Sequence, residues 1–512
     1  MKTTHSLLTL ILLNLFTAFN ANANVNPDQS FGTNGIVTTD LFGKEDQIYD
    51  IAIQTDGKIV VAGYSVVQSH REFMVMRYLS NGVIDSLFGN NGKATVLVGT
   101  ANSTARALAL QQDGKIVVAG YYDNNFFNDA AVVRFNTNGT IDTTFGNTGV
   151  VRLVLSNQFD EFHDVVVQSD NNIILAGRTS QNSTPDFLLI RMQPDGSPDP
   201  FFGVNGQVTT DFGGNTDCIY SILLQPDNKI LVSGSTNIGS CYFAAARYMD
   251  NGTPDVTFGL GGKVQVLSGA RLDNCYGMAL QADSNIVLVG THHSGAIDEY
   301  MAVRLTKLGV PDNTFGTNGV SVIQASSQSD LLNEVVVEAD GRILIAGSMN
   351  GGTNMLLQLN SNGLPDVDFG TDGFYEMGAP GAQSALNTLA LMNDSSVVAA
   401  GFNDNGLDFD FFLSKVFVRS TTSVEDGLSK DLNVIVYPNP VVNEVTVELP
   451  EEFGRVASVS MFDIDGKLIL LTYSDGLGSK INIDMPAGLS HGVYFLKVER
   501  GSKQAVKKIV VQ

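Results

Sequence analysis

The fold of this chain is decided by two short stretches, QQDGKIVVAG at residues 111–120 and DTTFG at residues 142–146, because both recur along its length. The glycine that ends the first stretch recurs at Gly63, Gly120, Gly177, Gly234, Gly290, Gly347 and Gly401. The Phe-Gly of the second begins at Phe31, Phe88, Phe145, Phe202, Phe258, Phe315 and Phe369. Both markers are separated by 57, 57, 57, 56, 57 and 54 residues. A repeat of about 57 residues therefore organises residues 28–418.

Each repeat carries four strand signals. In the first, residues 49–54 (YDIAIQ) and 58–64 (KIVVAGY) flank an Asp-Gly turn typical of a hairpin. Residues 73–79 (FMVMRYL) and the more polar residues 35–40 (GIVTTD) supply the other two strands. We therefore predict an all-β fold, a seven-bladed β-propeller built from four-stranded sheets. An open β-solenoid, whose coils are usually shorter, is the alternative.

The order of the strands predicts how the ring closes. The polar strand 35–40 precedes the first complete repeat, and the last repeat ends at residues 410–417, which match the third strand. We expect the first strand of the chain to form the outer edge of the last blade.

Two aspartates recur in every repeat, in turns at the same end of the strands. We interpret both as side chains that accept hydrogen bonds from their own turns, with an acidic rim that binds Ca²⁺ as the alternative. The residue ending each third strand is expected to pair with these aspartates, and the Phe of each Phe-Gly to pack between blades. The aspartates are Asp56, Asp113, Asp170, Asp227, Asp283, Asp340 and Asp394, and Asp28, Asp85, Asp142, Asp199, Asp255, Asp312 and Asp366. The residues that end the third strands are Arg77, Arg134, Arg191, Arg247, Arg304, Gln358 and Lys415.

Composition restricts the partners and the chemistry. The 53 acidic and 30 basic residues give a formal net charge of −23, which disfavours nucleic acid as a partner. His292-His293 is an isolated pair typical of a polar surface, and Asp404, Asp408 and Asp410 lack the spacing of a calcium loop. We therefore assign no catalytic, cofactor-binding or metal-ligating residue, favour a protein that is not an enzyme, and expect a monomer.

Ligand binding is expected where the repeats differ. The loops between the second and third strands vary most, at residues 121–128, His292-His293 and residues 403–410. These loops lie opposite the aspartate turns, and variable loops on a rigid scaffold commonly bind ligands; solvated loops under little constraint are the alternative. The cysteines Cys218, Cys241 and Cys275 fall at this same end, where a disulfide between Cys218 and Cys241 is one option.

Both ends of the chain differ from the repeats. Lys2, the apolar residues 7–16 and Ala21-Asn22-Ala23 predict a signal peptide over residues 1–23, and no later stretch is apolar enough to span a membrane. The propeller is expected over residues 24–418. Residues 419–431 form a polar linker, and residues 432–512 alternate strand and turn signals, which predicts a small β-sandwich domain.

Two family resemblances follow from these residues. The repeats resemble the delta-60 repeat family through residues 111–120 and through Asp-x-x-Phe-Gly in all seven repeats. Residues 432–512 resemble the C-terminal sorting domain of type IX secretion cargo, although Leu489-Ser490-His491 replaces the commoner Leu-Pro-Ala. The residues that carry the sorting resemblance are Tyr437, Pro438, Asn439, Pro440, Gly466, Lys467, Gly492, Tyr494, Lys497, Lys507 and Lys508.

The sorting resemblance implies recognition by the type IX secretion machinery and a location outside a Gram-negative cell or on its outer-membrane surface. We predict a secreted or cell-surface propeller that acts as a binding or structural module for an extracellular glycan or protein. A secreted propeller enzyme acting on carbohydrate is the alternative, and acids or histidines converging at the mouth of the channel would favour it.

Overall fold

The computed structural model describes residues 25–511 except 147, 182–183, 267–271, 294, 296, 327, 350–351, 378–382, 393–395, 419–433, 449–457, 464–467, 474–479, 487–488 and 501–502. The predicted signal peptide and linker, and the predicted residues Asp394, Gly466 and Lys467, lie outside this set. The chain divides into two compact units, Met1–Val418 and Arg419–Gln512.

The strands of the first unit fall into groups that recur along the chain. The first two strands along the chain, which precede blade 1, are β1 (Asn26–Pro27) and β2 (Ile36–Thr39). Blade 1 holds β3 (Asp46–Ile53), β4 (Ile59–Val67), β5 (His70–Tyr78) and β6 (Lys93–Val96). Blade 2 holds β7 (Ser103–Leu110), β8 (Ile116–Asp123), β9 (Asn128–Phe135) and β10 (Val150–Leu153). Blade 3 holds β11 (Asp160–Val167), β12 (Ile173–Thr179), β13 (Asp186–Met192) and β14 (Gln207–Thr210).

The later groups repeat this layout. Blade 4 holds β15 (Thr216–Leu224), β16 (Ile230–Asn237), β17 (Cys241–Tyr248) and β18 (Lys263–Val266). Blade 5 holds β19 (Asn274–Leu280), β20 (Ile286–His293), β21 (Asp298–Leu305) and β22 (Val320–Ile323). Blade 6 holds β23 (Leu331–Val337), β24 (Ile343–Met349), β25 (Thr353–Leu359) and β26 (Phe374–Glu376). Blade 7 holds β27 (Ser384–Leu391), β28 (Ser396–Asp404) and β29 (Phe409–Phe417), completed by β1 and β2.

Each blade is an antiparallel sheet, and in blades 1 to 6 the strands follow chain order from the first to the fourth. The first strands of consecutive blades contact one another, and β27 contacts β3, so these strands surround a central channel. The described part of this unit holds seven such sheets and no helix. This ring confirms the all-β propeller and excludes the open solenoid.

A β-bulge at the same place in every first strand explains the glycine that marks the repeat. In blade 1, Ile48 lies opposite Gly63 and Asp50 opposite Ala62, so Tyr49 is the extra, bulged residue. A Cβ on Gly63 would lie 1.9 Å from the Gln47 carbonyl oxygen. The bulged backbone therefore leaves no room for a side chain at the anchor glycine.

The ring closes as the strand order predicts. Strand β2 pairs antiparallel with β29, with Ile36 opposite Ser414 and Thr39 opposite Phe411. The preceding strand β1 also pairs with β29, where Asn26 lies opposite Phe417. The beginning of the propeller therefore forms the outer edge of its last blade.

An aromatic ring and a guanidinium join neighbouring blades. Phe88 is fully buried, and the Arg77 guanidinium lies 4.6 Å from the centre of its ring. Arg77 Nε donates to Asp85 Oδ2 at 2.9 Å, and Nη1 donates to the Thr137 carbonyl of blade 2 at 2.7 Å. The Arg–Asp pair recurs at 2.7 or 2.8 Å as Arg134–Asp142, Arg191–Asp199, Arg247–Asp255 and Arg304–Asp312. The predicted pairing and the packing of Phe between blades are confirmed.

Two blades achieve this pairing differently. In blade 7, Lys415 Nζ lies 3.0 Å from Asp28 Oδ2. In blade 6, Gln358 donates to Glu338 at 2.5 Å, and the guanidinium of Arg342 lies 3.3 Å from Asp366. The expectation that Gln358 itself pairs with the aspartate is wrong, since a neighbouring arginine supplies the positive charge.

The recurring aspartates accept hydrogen bonds in their own turns, as predicted. Asp56 Oδ1 accepts from the Lys58 amide at 3.2 Å, and Asp85 Oδ1 accepts from the Leu87 amide at 3.2 Å. The other described hairpin aspartates that accept in this way are Asp113, Asp170, Asp227, Asp283 and Asp340. Those before Phe-Gly are Asp28, Asp142, Asp199, Asp255, Asp312 and Asp366. Turn geometry explains both sets.

The second unit is a small β-sandwich, as predicted. Its strands are β30 (Ile435–Tyr437), β31 (Glu444–Glu448), β32 (Ser458–Phe462), β33 (Leu468–Tyr473), β34 (Lys480–Asp484), β35 (Gly492–Arg500) and β36 (Lys503–Val511). The described strands form one sheet in the order β30-β31-β34 and a second in the order β33-β32-β35-β36. Val445 and Val447 of the first sheet pack with Met461, Leu496 and Ile509 of the second in a buried core.

Candidate functional site in the propeller channel

The bulged residues of the first strands line one cavity of about 330 Å³ in the channel. They are Tyr49, Arg106, His163, Tyr220, Tyr276, Asn333 and Asn387, which we call the channel ring. The bulge turns each of these side chains out of the regular alternation of its strand. Although the repeats share their glycines and aspartates, the channel ring contains four residue types, Tyr, Arg, His and Asn.

One arc of the channel ring is aromatic. The ring of Tyr220 lies 5.2 Å from that of Tyr276 and 5.0 Å from the imidazole of His163. On the neighbouring blades 1 and 2, the Arg106 guanidinium lies 4.2 Å from the centre of the Tyr49 ring. These contacts hold flat apolar faces and positive groups side by side.

Two positive groups of the channel ring have hydrogen-bonding capacity left. Arg106 Nε is buried and has no hydrogen-bond partner among the described residues. His163 Nε2 lies 3.4 Å from Glu161 Oε2, outside hydrogen-bonding geometry. Burial lowers the pKa of His163, but the nearby Cys218 and Glu161 side chains raise it overall, to about 9. These two side chains therefore favour the positively charged form of His163.

Acidic side chains follow the bulge in three blades and face the same cavity. Asp50 Oδ2 accepts from the Leu108 amide of blade 2, and Asp164 Oδ2 from the Ile222 amide of blade 4, both at 2.7 Å. Burial raises the pKa of Asp50 to about 6 and, together with the charge of Asp50, that of Asp164 to about 7.

Glu334 differs from the other two acids. Its Oε1 accepts a hydrogen bond from the adjacent Val335 amide at 2.9 Å. Among the described residues, its carboxyl group makes no hydrogen bond to another blade. Burial raises the pKa of Glu334 well above its usual value. Asp50 and Asp164 thus join blades, whereas Glu334 presents a carboxyl group to the cavity.

The two asparagines of the channel ring, Asn333 and Asn387, also join neighbouring blades. Asn333 Nδ2 donates to the Leu386 carbonyl of blade 7 at 2.8 Å, and Asn387 Nδ2 donates to the Ile48 carbonyl of blade 1 at 2.7 Å. These bonds join consecutive first strands, and both side chains also line the cavity.

Sequence reasoning missed the channel ring, although a signal was present. Each member stands 14 residues before the anchor glycine of its repeat, as Tyr49 does before Gly63. A comparison of the repeats position by position would have isolated it as a variable position inside a strand.

The predicted variable loops lie away from this cavity. His292 Nδ1 lies 3.0 Å from Asp273 Oδ1, and His293 Nδ1 lies 2.8 Å from Asp298 Oδ1. Asn405 donates to both Asp408 and Asp410. In the loop at residues 121–128, Phe126 is 85% exposed. None of these side chains lines the cavity.

The three cysteines, all in described residues, are free thiols. Cys218 lies on β15 opposite Ser235 of β16, and Cys241 lies on β17 opposite Asn237 of β16. One strand therefore separates the two cysteines, which places them about 10 Å apart, beyond the reach of a disulfide. The pairing of Cys218 with Cys241 is wrong because an intervening strand keeps them apart.

The YPNP motif of the second unit is bound to the last strand. Asn439 Oδ1 accepts from the Val510 amide at 2.8 Å, and its Nδ2 donates to the Lys508 carbonyl at 3.0 Å. Tyr437 receives a hydrogen bond from Lys480 at 2.8 Å. Pro438 and Pro440 flank Asn439 and are both preceded by cis peptide bonds.

The other described residues of the sorting resemblance lie on β35 and β36. Tyr494 is buried, and its hydroxyl donates to the Ser490 carbonyl at 2.9 Å. Gly492 and Lys497 lie on the same strand as Tyr494, and Lys507 and the exposed Lys508 lie on β36.

Comparisons with known families match both units. Residues 54–88, 111–145, 168–202, 225–258 and 338–369 match the family described as "Domain of unknown function (DUF5122) beta-propeller". Residues 435–512 match the "Secretion system C-terminal sorting domain". Five segments of the propeller unit thus match DUF5122 repeats, and the second unit matches a type IX sorting domain. Both predicted resemblances are confirmed.

The sorting domain indicates that the chain is exported to the cell surface or secreted. It also implies that the type IX secretion machinery handles the chain. Among the described residues, we find no helix with the length and apolar character needed to cross a membrane.

Solved structures resemble this chain at low identity. A catalytically inactive virginiamycin B lyase from Staphylococcus aureus, with quinupristin, is 12% identical at a TM-score of 0.44, covering 74% of this chain and 98% of its own. The polysaccharide lyase Uly1 is 12% identical at a TM-score of 0.45, covering 72% of this chain and 90% of its own. The comparison with curated proteins gave no match.

Proposed function

We propose that the protein is an exported binding module whose channel ring holds an extracellular carbohydrate that carries an acidic group. The observation that supports this proposal is the variation of the channel ring within a scaffold that otherwise repeats. A position that only builds blades would carry similar residues in each repeat, whereas a ligand site needs different groups in different directions.

The chemistry of the channel ring fits this ligand class. Tyr49, Tyr220 and Tyr276 offer flat faces on which the apolar side of a sugar ring packs. The unpartnered Arg106 Nε and the charged His163 favour a carboxylate or sulfate oxygen beside blades 2 and 3. Glu334 and the tyrosine hydroxyls offer hydrogen bonds to sugar hydroxyls.

Binding of the purified mature chain to an array of neutral and acidic glycans tests the proposal. We expect acidic glycans to bind, and Arg106→Gln and Tyr220→Ala to weaken binding by at least about tenfold, the loss of one charged hydrogen bond or one stacked ring. Arg152→Gln is the matched control, because Arg152 is an exposed arginine on the outer strand of blade 2.

A result at the variable loops would overturn the channel assignment. If Phe126→Ala abolished glycan binding while Arg106→Gln left it unchanged, the ligand would bind the loop at residues 121–128. Failure of acidic and neutral glycans alike to bind the wild-type chain would reject carbohydrate as the ligand.

A carbohydrate-degrading enzyme is the second candidate, because His163, Arg106 and Glu334 share one cavity. A carboxyl group with a raised pKa can donate a proton near neutral pH. Incubating each bound glycan with wild-type protein and with Glu334→Gln, followed by mass spectrometry, separates the two functions. Products from the wild type alone would establish catalysis, and intact glycan with both proteins would leave the binding module.

A further inference from the structure

Three aspartates meet where the propeller ring closes. Asp40 follows the closing strand β2, Asp410 lies on β29 of blade 7, and Asp46 begins β3 of blade 1. One carboxylate oxygen from each lies within 4.8 Å of the other two. We call these residues the closure cluster. It lies at the end of the strands opposite the repeated aspartate turns.

The closure cluster contains buried oxygens that lack hydrogen bonds. Asp46 is fully buried and Asp410 is 6% exposed, yet Oδ1 of each has no hydrogen-bond partner. The residue opposite Asp46 is Ser65, and the residue opposite Asp410 is Asn403. Their Ser65 Oγ and Asn403 Oδ1 atoms also lack partners. Native structures rarely leave such groups unsatisfied without an ion or water nearby.

A second group of three aspartates occupies the same positions between blades 3 and 4. Asp186, Asp211 and Asp217 correspond to Asp410, Asp40 and Asp46, and one oxygen of each again lies within 4.8 Å of the others. Here Thr236 occupies the position of Ser65, and its hydroxyl donates to Asp217 Oδ1. The Phe212 amide donates to Asp217 Oδ2 at 2.7 Å, as the Leu41 amide does to Asp46 Oδ2 in the closure cluster, so the two groups differ at the Oδ1 atoms. No oxygen of this second group is among the unpartnered atoms of the described residues.

The difference between the two groups identifies a ligand for the first. Clustered carboxylates repel one another and are costly to bury without a positive charge. The unpartnered atoms are all oxygens, from two carboxylates, a hydroxyl and an amide. Calcium takes six to eight oxygen ligands of these kinds in flexible geometry.

We propose that the closure cluster binds a calcium ion, which links the closing strand β2 to blades 7 and 1. Asp40, Asp46 and Asp410 supply carboxylate oxygens, and the channel ring plays no part in this site. The ion stabilises the closed ring because it contacts both partners of the seam.

Thermal unfolding of the purified mature chain in EDTA and in excess CaCl₂ tests this proposal. We expect calcium to raise the Tm of the wild type by several degrees, since a ligand that binds only the folded state stabilises it. Asp40→Asn should abolish or strongly reduce the shift. This side chain is exposed, so the variant retains the buried core. Asp211→Asn is the matched control, at the same position in the second group, and should keep the full shift.

Hydrogen exchange provides a second measurement. Calcium should slow exchange of the β2 amides at residues 36–39 in the wild type and in Asp211→Asn, but not in Asp40→Asn or Asp46→Asn. An absent calcium effect in the wild type would overturn the proposal. An effect of equal size in Asp40→Asn and Asp46→Asn, or one lost only in Asp211→Asn, would overturn it as well.

Discussion

The ammonium group of Lys415 lies 3.0 Å from the carboxylate of Asp28, which joins the last blade of the propeller to the first residues of the ring. Both side chains are more than nine-tenths buried. In five other blades an arginine makes the same contact with an aspartate that follows it along the chain, whereas here the partner comes from the opposite end of the ring.

Removing one partner of this buried pair should open the seam. Lys415→Met leaves the Asp28 carboxylate buried without a cation, which costs about 3–5 kcal/mol. Lys415→Arg keeps the charge and should stay within about 1 kcal/mol of the wild type. Urea unfolding measures both differences. Deletion of residues 28–41, which removes β2, should lower the Tm far more than Lys415→Met, and an unchanged Tm would contradict closure through this strand.

The contact between Gly139 and Phe88 should be sensitive to a single methyl group. A Cβ on Gly139 would lie 2.6 Å from the Gly89 amide nitrogen and 3.0 Å from the Phe88 ring. Gly139→Ala should therefore destabilise the fold by more than the ~1 kcal/mol expected from its positive φ alone. Gly239→Ala, at a positive φ with no atom within 4 Å, isolates that backbone cost. Equal losses of unfolding free energy in the two variants would show that blade packing at Phe88 is loose.

Glu334 should make the propeller less stable as the pH rises. Its pKa is raised in the folded state, so the folded protein retains a proton that the unfolded chain releases. The stabilising effect of that proton is complete below about pH 4, near the usual Glu pKa, and is lost as the pH rises through the folded value. Glu334→Gln should therefore exceed the wild type in Tm at pH 8 and lose this advantage at pH 4. Glu376→Gln, which changes an exposed glutamate on β26, is the matched control.

The hydrogen bonds of Asn439 should matter for sorting. Residues 432–512 fused to a reporter are expected to carry it across the outer membrane of a host with type IX secretion. Asn439→Ala removes two bonds to the last strand and should reduce the secreted fraction. Asn482→Ala, which changes an exposed asparagine on β34, should not. Measuring the reporter in periplasm and medium gives the outcome, and periplasmic retention of the wild-type fusion would count against the sorting role.

The propeller could be predicted because each residue that recurs in the sequence has the same structural role in every blade. Gly63 and its equivalents face the bulged strand, Phe88 and its equivalents fill the junctions between blades, and the aspartates bond their own turns. Each of these roles depends on local geometry, so the same residue type recurs at the same position of each repeat. The closing strand could be predicted from strand order for the same reason.

The candidate site in the channel could not be predicted from the sequence in the same way. Tyr49 interrupts the alternation of its strand, so its direction depends on the bulge, which the residue types alone do not reveal. The cysteine pair failed because chain position gave the correct end of the strands but not the strand lying between Cys218 and Cys241. The role of Arg342 beside Asp366 likewise required the positions of side chains from separate strands.

The pairing of β2 with β29 also governs the order of folding. Strand β2 precedes all complete blades along the chain, and β29 is the last strand of the propeller, so the seam cannot form until β29 has been synthesised. Until then, the edge of β29 has no partner and can pair with other chains. A nascent propeller of this design must therefore remain incomplete until its final blade has emerged, and a truncated product would expose an adhesive edge rather than form a smaller ring.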